Sequence, residues 1–501
     1  LDVTRPDEEV HAALVRLGFR EPESAAFQLE LLRRRPSSPL GAAASVETVS
    51  LAPTLIEELA ASPDPDQALR FLVDLAASFG GWEGSWRLFA ANRPLLRLLV
   101  SLLGTSAFLA RRLIEHPDLL ELLLFGTGQD TVDRGGLAAK IAERLRNASA
   151  GDDEAAWNAV RRVQSEEIFR IGLADIAGEL DEVSVSQSLS ELAEECLGRT
   201  FDMVAETLRR RGARLVPMTV LGLGKLGGRE LGYASDLDLV FVYDGALDDH
   251  EVMTKLAQRF VHALAAVLEE GRLYAVDTRL RPSGQQGMLV SSLGAWRSYH
   301  HDKARLWEKQ ALIKARPVAG DQGLGRLLAR EIEAYVYEGG REPPTAIADA
   351  ILGMRARMES ELAHEGRNPS RGPELYDIKV GRGGLVDIEF AVQYLQLIHG
   401  GIHPELRSPS TLEALRCARE IGLVAEPAAR TLEGGYHFLR RLLHRMRIVN
   451  DRPVHELPRE AALLDKLARR TGFASATALE RAYLAWTDAV RTCYLTLLQS
   501  P

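Results

Sequence analysis

Cysteine is scarce in this chain. Its three cysteines, Cys196, Cys417 and Cys493, lie far apart among the 501 residues and show no paired spacing. This pattern argues against a disulfide framework and against a zinc site, and it fits a reducing compartment. We therefore expect a cytoplasmic protein.

The sequence also lacks a long apolar run and an excess of positive charge. No uninterrupted apolar stretch reaches the roughly 18 residues that a membrane span needs. The formal net charge is −9, so no global basic field attracts nucleic acid. Neither a membrane nor a nucleic acid is expected as a partner.

The chain has the proportions of a soluble globular protein, with 46% hydrophobic and 26% charged residues. At 501 residues it is too long for a single core, so several domains are expected. The patterns predict an α+β fold in which a small mixed sheet is flanked by mostly α-helical N- and C-terminal regions. The predicted units are an N-terminal helical region (1–150), a long helical segment (151–215), a sheet-containing core (216–385) and a C-terminal helical bundle (386–501). Because the chain opens on Leu1 rather than on methionine, we expect it to be a piece of a longer protein.

Residues 216–244 carry the most informative pattern. An apolar run at 219–223 leads into a glycine-rich turn, and a second run at 237–243 leaves it, so both runs predict strands. Asp236 and Asp238 stand at the start of the second strand. Because side chains alternate with period two, the two carboxylates should point the same way.

Aligned carboxylates opposite a glycine turn suit a site for Mg²⁺ and phosphate. Mg²⁺ is usually held by one or two carboxylates together with substrate phosphate oxygens. Asp277, on a third strand predicted at 273–281, is placed to supply another carboxylate. Two metal ions about 4 Å apart would clamp the attacking and leaving oxygens of an in-line displacement. We predict Asp236, Asp238 and Asp277 as metal ligands and catalytic residues, with Asp277 helping to deprotonate the attacking hydroxyl.

The glycine turn predicts a seat for phosphate, because its backbone N–H groups can converge on an anion. Lys225 inside the turn can add a positive charge. Residues 222–227 also match G-x-G-x-x-G formally, which leaves a dinucleotide site as an alternative. The further glycines at 228 and 232 leave room for barely two helical turns, which weighs against that alternative.

Four segments occur in order along the chain: GLGKLGGRELGYASDLDLVFVYD, VDTRLRPSGQQGMLV, WEKQALIKAR and VGRGGLVDIEFAVQYLQLIHG. Together they resemble the bacterial glutamine synthetase adenylyltransferase family, whose catalytic domains belong to the DNA polymerase β-like nucleotidyltransferase superfamily. The resemblance is close over about residues 216–400. It implies that the predicted core at 216–385 is a nucleotidyltransferase domain.

The resemblance also implies roles for individual residues and for partners. The nucleotide-binding residues it indicates are Gly224, Lys225, Gly227, Gly228, Ser235 and Arg279. It implies ATP as cosubstrate, Mg²⁺ as cofactor and a tyrosine hydroxyl of glutamine synthetase as acceptor. A PII-type signalling protein and glutamine are the implied effectors, in the regulation of nitrogen metabolism.

Members of that family usually carry two such catalytic domains, an N-terminal one that removes AMP by phosphorolysis and a C-terminal one that attaches it. The segments VDTRLRPSG, GMLV and GGLVDIEF resemble the attaching half, so AMP transfer is the expected direction. The reverse reaction, phosphate-dependent removal of AMP giving ADP, stays open. A non-catalytic module that senses nucleotides or effectors is a further alternative.

Several charged side chains also have a purely structural explanation. Asp277 could form an ion pair with Arg279 or Arg281. Lys314 and Arg316 could contact phosphate or pair with carboxylates of this acidic chain. Asp387 could support the site or stabilise the N-terminus of a helix.

Overall fold

The structure is a computed structural model. It describes residues 7–78, 82–124, 134–147, 151–338, 342–363, 367–368, 372–373, 376–450 and 452–499. Helices dominate these residues, and one five-stranded mixed sheet lies in the middle of the chain. The predicted α+β fold with helical flanks is confirmed.

Within the described residues, only helices precede the sheet. They are α1 (Asp7–Arg16), α2 (Pro22–Arg33), α3 (Val46–Ala61), α4 (Pro65–Ser78), α5 (Trp82–Ala91), α6 (Arg93–Thr105), α7 (Ala107–Glu115), α8 (Leu120–Leu124), α9 (Arg134–Arg146), α10 (Asp153–Ala177) and α11 (Glu182–Arg210). Local sequence explains several helix starts. The Asp152 carboxylate caps α10 by accepting two backbone N–H groups, and the Asp181 carboxylate caps α11 by accepting the backbone N–H of Ser184.

The central block alternates strands and helices. Its elements are β1 (Met218–Gly222), α12 (Gly224–Gly227), β2 (Leu237–Tyr243), α13 (His250–Ala265), β3 (Val267–Leu268), β4 (Gly271–Arg272), β5 (Val276–Asp277), β6 (Val290–Ser292), α14 (Leu293–Asp302), α15 (Leu306–Leu312), β7 (Arg316–Gly320) and α16 (Gln322–Tyr337). The strands predicted at 219–223 and 237–243 are confirmed as β1 and β2. The strand predicted at 273–281 is reduced to the two residues of β5, and the chain already turns at Arg279 and Leu280.

The sheet runs in the order β5-β2-β1-β7, and β6 also pairs with β2. Strands β1 and β2 are antiparallel, as are β1 and β7, whereas β5 and β6 lie parallel to β2. Since β1 occupies one edge of β2, β5 and β6 share its other edge, β5 at its start and β6 at its end. A dinucleotide-binding fold needs its first two strands parallel, so the antiparallel β1–β2 pair rules out that alternative.

Helices again follow the sheet. The C-terminal elements are α17 (Pro344–Leu362), β8 (Arg367–Asn368), β9 (Gly372–Pro373), α18 (Leu385–His399), α19 (Thr411–Glu420), α20 (Glu426–Asn450), α21 (Ala461–Arg470) and α22 (Ala476–Gln499). Helices α18, α19, α20, α21 and α22 bury a core of their own.

Both faces of the sheet are buried, and β2 shows how the sequence achieves this. Leu239 and Phe241 enter a large core that continues into the N-terminal helices, while Val240 and Val242 enter a second core with α14, α15 and α16. The alternation places Asp238 on the same face as Val240. The large core contains residues on both sides of the boundaries predicted at 150 and 215, which stay predictions, as does the one at 385.

Within the described ranges, no single helix is both long enough and apolar enough to span a membrane. Helices α6 and α7 reach that length and apolarity only when they are taken together, and the chain bends by 114° between them.

Candidate active site

Two of the predicted catalytic aspartates lie side by side at one end of the sheet. In the parallel pairing of β2 with β5, Asp238 is the register partner of Asp277. Asp236 lies two residues before Asp238, is exposed and precedes the strand. The structure therefore brings together on neighbouring strands carboxylates that come from distant segments of the sequence.

The negative charges of this cluster act on one another. Burial raises the pKa of Asp238 to about 6, and the nearby charges of Asp236 and Asp277 contribute to the increase. Lys379 and Arg279 oppose it without cancelling it. The cluster therefore holds more negative charge than the surrounding residues neutralise, which favours a cationic ligand.

Asp277 is engaged with Arg279. The carboxylate accepts the backbone N–H of Arg279 at 2.8 Å and its guanidinium Nε at 2.7 Å. Although burial alone would raise it, these bonds hold the pKa of Asp277 below its usual range. The predicted ion pair is present, and it stands at the rim of the site because the Arg279 side chain is 67% exposed.

The glycine turn packs directly against the carboxylates. The backbone N–H of Leu223 donates to the carbonyl of Asp238 at 2.9 Å, which ties the turn to β2. Gly224 follows with φ +52°, and a Cβ there would lie 2.4 Å from Oδ2 of Asp238. Only glycine allows this close approach in that backbone conformation.

We expect Gly224→Ala to lower the turnover rate by roughly a hundredfold, because the methyl group must displace the Asp238 carboxylate. Gly212→Ala is the matched control. Gly212 also has a positive φ (+86°), but a Cβ there meets nothing within 4 Å. Both substitutions should cost about 1–2 kcal/mol of unfolding free energy, and only Gly224→Ala should reduce the rate. Equal rates for the two variants would refute the role of Gly224.

The other predicted nucleotide-binding glycines serve packing. A Cβ at Gly227 would lie 1.7 Å from the carbonyl oxygen of Lys314, and one at Gly228 would lie 3.0 Å from that of Pro409. The turn therefore fits closely against the segment before β7 and the segment before α19. Contact of Gly227 and Gly228 with a nucleotide stays a prediction.

Lys225 lies in the turn with its Nζ buried and without a hydrogen-bond partner among the residues that the structure describes. Burial lowers its pKa well below the usual range, and the positive charges of Arg440 and Lys379 lower it further. Glu389 is the negative charge that opposes this effect. A buried amine surrounded by other cations is a favourable position for an anionic ligand.

Ser235, just before Asp236, is held by the C-terminal helix α20. Its Oγ accepts the backbone N–H of Gly232 at 3.1 Å and the Nη1 of Arg447 at 3.2 Å. Arg440, two turns earlier on α20, donates to the carbonyl oxygens of Glu230 and Leu231. The helix thus fixes the loop that leads into the aspartate pair.

Three charged residues whose roles the sequence left undecided, Lys314, Arg316 and Asp387, form ion pairs within the protein. Lys314 Nζ lies 2.6 Å from Glu230, and Arg316 pairs with Glu194. Asp387 is fully buried and accepts from Arg355, from Arg491 and from the backbone N–H of Gly383. These contacts hold the framework of the site together, and none involves the catalytic aspartates.

Sequence reasoning missed Lys379 and Arg447. The motif DIKVGRGG contains Lys379 just before its glycines, which was a usable signal. Arg440, His444 and Arg447 recur at intervals of four and three residues on α20, and this polar stripe on a largely buried helix was another.

The donor chemistry of the aspartate cluster fits Mg²⁺, since three carboxylates offer hard oxygen ligands and excess negative charge. Their present arrangement is not yet that of a metal site: among the residues that the structure describes, no group of three or more His, Cys, Asp or Glu side chains is placed to hold a metal ion. The contact between Asp277 and Arg279 is consistent with this finding.

A glycine turn packed against one aspartate, with a second aspartate in register on the adjacent parallel strand, places the chain in the nucleotidyltransferase class. Comparison with known families is more specific. The model of the family glutamate-ammonia ligase adenylyltransferase matches residues 96–330, and that of GlnD PII-uridylyltransferase matches residues 353–498. Over these residues the chain is similar to the glutamate-ammonia ligase adenylyltransferase family.

Relatives carrying the name bifunctional glutamine synthetase adenylyltransferase/adenylyl-removing enzyme cover most of the chain. The protein of Thioalkalivibrio sulfidiphilus is 36% identical over 88% of this chain and 47% of its own length. The protein of Chromobacterium violaceum is 35% identical over 91% of this chain and 50% of its own length. The protein of Streptomyces avermitilis is 33% identical over 97% of this chain and 47% of its own length. The chain therefore spans about half the length of the curated relatives it matches.

Proposed function

We propose that the chain transfers AMP from ATP to a tyrosine hydroxyl of glutamine synthetase. The observation that carries this proposal is the register of Asp238 beside Asp277, against the glycine turn at Gly224. The names of the relatives supply the protein substrate, and the segments VDTRLRPSG and GGLVDIEF support the attaching direction.

In the proposed reaction the tyrosine oxygen forms a bond to the α-phosphorus of ATP. The bond from that phosphorus to the bridging oxygen breaks, and pyrophosphate leaves. The hydroxyl proton passes to Asp277. The N–H groups of Arg279 occupy three of the about four lone-pair positions of this carboxylate. The guanidinium of Arg279 must therefore move away for Asp277 both to ligate Mg²⁺ and to accept the proton.

Asp236, Asp238 and Asp277 would hold Mg²⁺, one ion or two. When bound, Mg²⁺ supplies positive charge that stabilises the charge developing on the phosphoryl oxygens. The chain's own contribution is position. Gly224 lets the turn approach Asp238, while Arg447 and Ser235 hold the loop before Asp236.

The reverse reaction is the second candidate, because the relatives are named for both adenylyl transfer and adenylyl removal. It would use the same carboxylates, with inorganic phosphate as the attacking group and ADP as the product. We further propose a PII-type protein and glutamine as effectors. The family that matches residues 353–498 is itself named for uridylylation of PII, which supports a PII-type partner.

The test is incubation of the protein with α-labelled ATP, Mg²⁺ and unmodified glutamine synthetase. We expect label on the synthetase, and none when its acceptor tyrosines are replaced by phenylalanine. If ADP appears instead when adenylylated synthetase and phosphate are supplied, the removing direction is correct. Absence of both activities would refute the proposed function.

A further inference from the structure

The turn at 377–384, which lies in the motif DIKVGRGG, is held rigidly. Asp377 is fully buried, and its Oδ1 accepts the backbone N–H groups of Lys379 at 2.8 Å and Val380 at 2.9 Å. Its Oδ2 contacts Nδ1 of His455 at 2.9 Å. One buried carboxylate therefore fixes the backbone on which Lys379 is mounted.

The glycine end of the turn is equally constrained. Gly383 has φ +72°, and a Cβ there would lie 1.9 Å from the carbonyl oxygen of Thr487 on α22. The Arg355 guanidinium donates to the carbonyl of Gly381 at 2.7 Å. A turn that is anchored to α17 and α22 can present a side chain at a fixed position.

The two basic side chains of the turn differ in their contacts. Arg382 is exposed and donates to Asp488 on α22 at 2.9 Å. Lys379 is half-buried, and within the described part of the chain no carboxylate forms an ion pair with it.

Hydrogen bonds place the turn beside the aspartate loop, because the N–H of Ile378 donates to the carbonyl of His455 at 2.9 Å, and Arg447 donates both to the neighbouring carbonyl of Val454 at 3.1 Å and to Oγ of Ser235 at 3.2 Å. In keeping with this position, the charge of Lys379 lowers the pKa of Asp238 and that of Lys225.

Lys225 approaches the same region from the glycine turn, and its buried Nζ has no hydrogen-bond partner among the described residues. Burial and the neighbouring cations disfavour the charged form of this amine, and a bound anion beside it would stabilise that form. In the proposed reaction the α-phosphorus must lie at the aspartates. The β- and γ-phosphates, which depart from it as pyrophosphate, then need positive charge nearby, and these amines can provide it.

We propose that Lys379, together with Lys225, binds the β- and γ-phosphates of the nucleotide, so that the C-terminal helical unit completes the nucleotide site. This inference rests on the proposed function. It assigns a task to the DIKVGRGG turn, whose buried bonds and glycines serve to hold one lysine opposite the first glycine turn.

The test compares Lys379→Gln with Arg382→Gln, a control on the same turn whose side chain contacts Asp488. Dissociation constants for α,β-methylene-ATP are measured by calorimetry in the presence of Mg²⁺, and those for AMP by competition. We expect Lys379→Gln to weaken binding of the triphosphate analogue roughly tenfold or more. AMP should bind to this variant within about twofold of its wild-type affinity, because AMP lacks the outer phosphates. Lys379→Arg should recover part of the affinity, and Arg382→Gln should bind both ligands as the wild type does.

The outcomes separate this inference from the proposed function. If the wild type binds the analogue and labels glutamine synthetase while Lys379→Gln binds the analogue equally well, only the role of Lys379 is refuted. Equal weakening of AMP and the analogue also refutes it, because the lysine would then act on the α-phosphate or on the turn. A wild-type protein that binds neither ligand overturns both proposals.

Discussion

Replacement of Asp238 by asparagine should reduce AMP transfer by about a thousandfold or more, because the transition state loses several kcal/mol of charge stabilisation. Asparagine keeps the shape of the side chain but cannot neutralise a metal ion. The side chain stands in register with Asp277 and against Gly224, so a rotation of the amide cannot restore the lost charge. The rate of label transfer to glutamine synthetase is the measurement.

The same variant should be at least as stable as the wild type in Mg²⁺-free buffer at neutral pH. The pKa of Asp238 is raised to about 6 from 3.8, so its charged form is disfavoured in the fold. The contribution of Asp238 to the stability of the wild type is therefore fully present below about pH 4 and is lost as the pH rises through about 6. The asparagine variant lacks this loss. Urea titrations at several pH values would show the wild type losing stability relative to the variant over this interval.

Asp244→Asn is the matched control for both measurements. Asp244 is exposed and follows the other end of β2, away from Asp277. This variant should keep its activity and show the wild-type pH profile. If Asp238→Asn retained more than about a tenth of the wild-type rate, the assignment of Asp238 to the reacting centre would be wrong.

Lys314→Met should destabilise the fold by about 3–5 kcal/mol, the usual cost of leaving a buried charge without its partner. The side chains of Lys314 and Glu230 are only 6% and 8% exposed. Although burial alone would act the other way, the pair lowers the pKa of Glu230 and raises that of Lys314. Thr411, the first residue of α19, completes the cluster by donating its N–H to Glu230 at 2.7 Å. Unfolding in urea is the measurement.

Lys255→Met provides the comparison for this prediction. Lys255 also pairs with a glutamate, Glu251, but both side chains are more than half exposed. Its loss should change the unfolding free energy by less than about 0.5 kcal/mol. Adding Glu230→Gln to Lys314→Met should recover part of the stability by removing the unpaired charge. A cost below 1 kcal/mol for Lys314→Met alone would show that Glu230 finds another partner.

The sequence predicted the centre of the fold well because the signals there are local. Strand β2 could be located from its apolar run. The common orientation of Asp236 and Asp238 stays a prediction, because Asp236 precedes the strand. The sequence predicted that Asp277 lies on a strand near Asp238, but it did not predict that the two residues are paired in register. Since a strand of two residues has almost no pattern of its own, its length was overestimated.

The contacts of the charged residues could not be predicted in the same way. Lys314 and Glu230 are far apart in the sequence, and no local rule pairs them. Nor did the sequence show that α20 would hold Ser235 through Arg447, because the match depends on how the C-terminal helices dock. Composition and periodicity indicate which residues are buried, and tertiary packing decides which of them meet.

The parallel register of β2 and β5 also bears on how such a chain can change over evolutionary time. Asp277 faces the same way as Asp238 only because the two stand opposite each other. Deleting or inserting a single codon between Leu273 and Asp277 would turn the second carboxylate to the opposite face, even with every active-site residue retained. The loops on either side tolerate changes in length far better. Length variation among descendants of this gene should therefore cluster outside the short interval around β5.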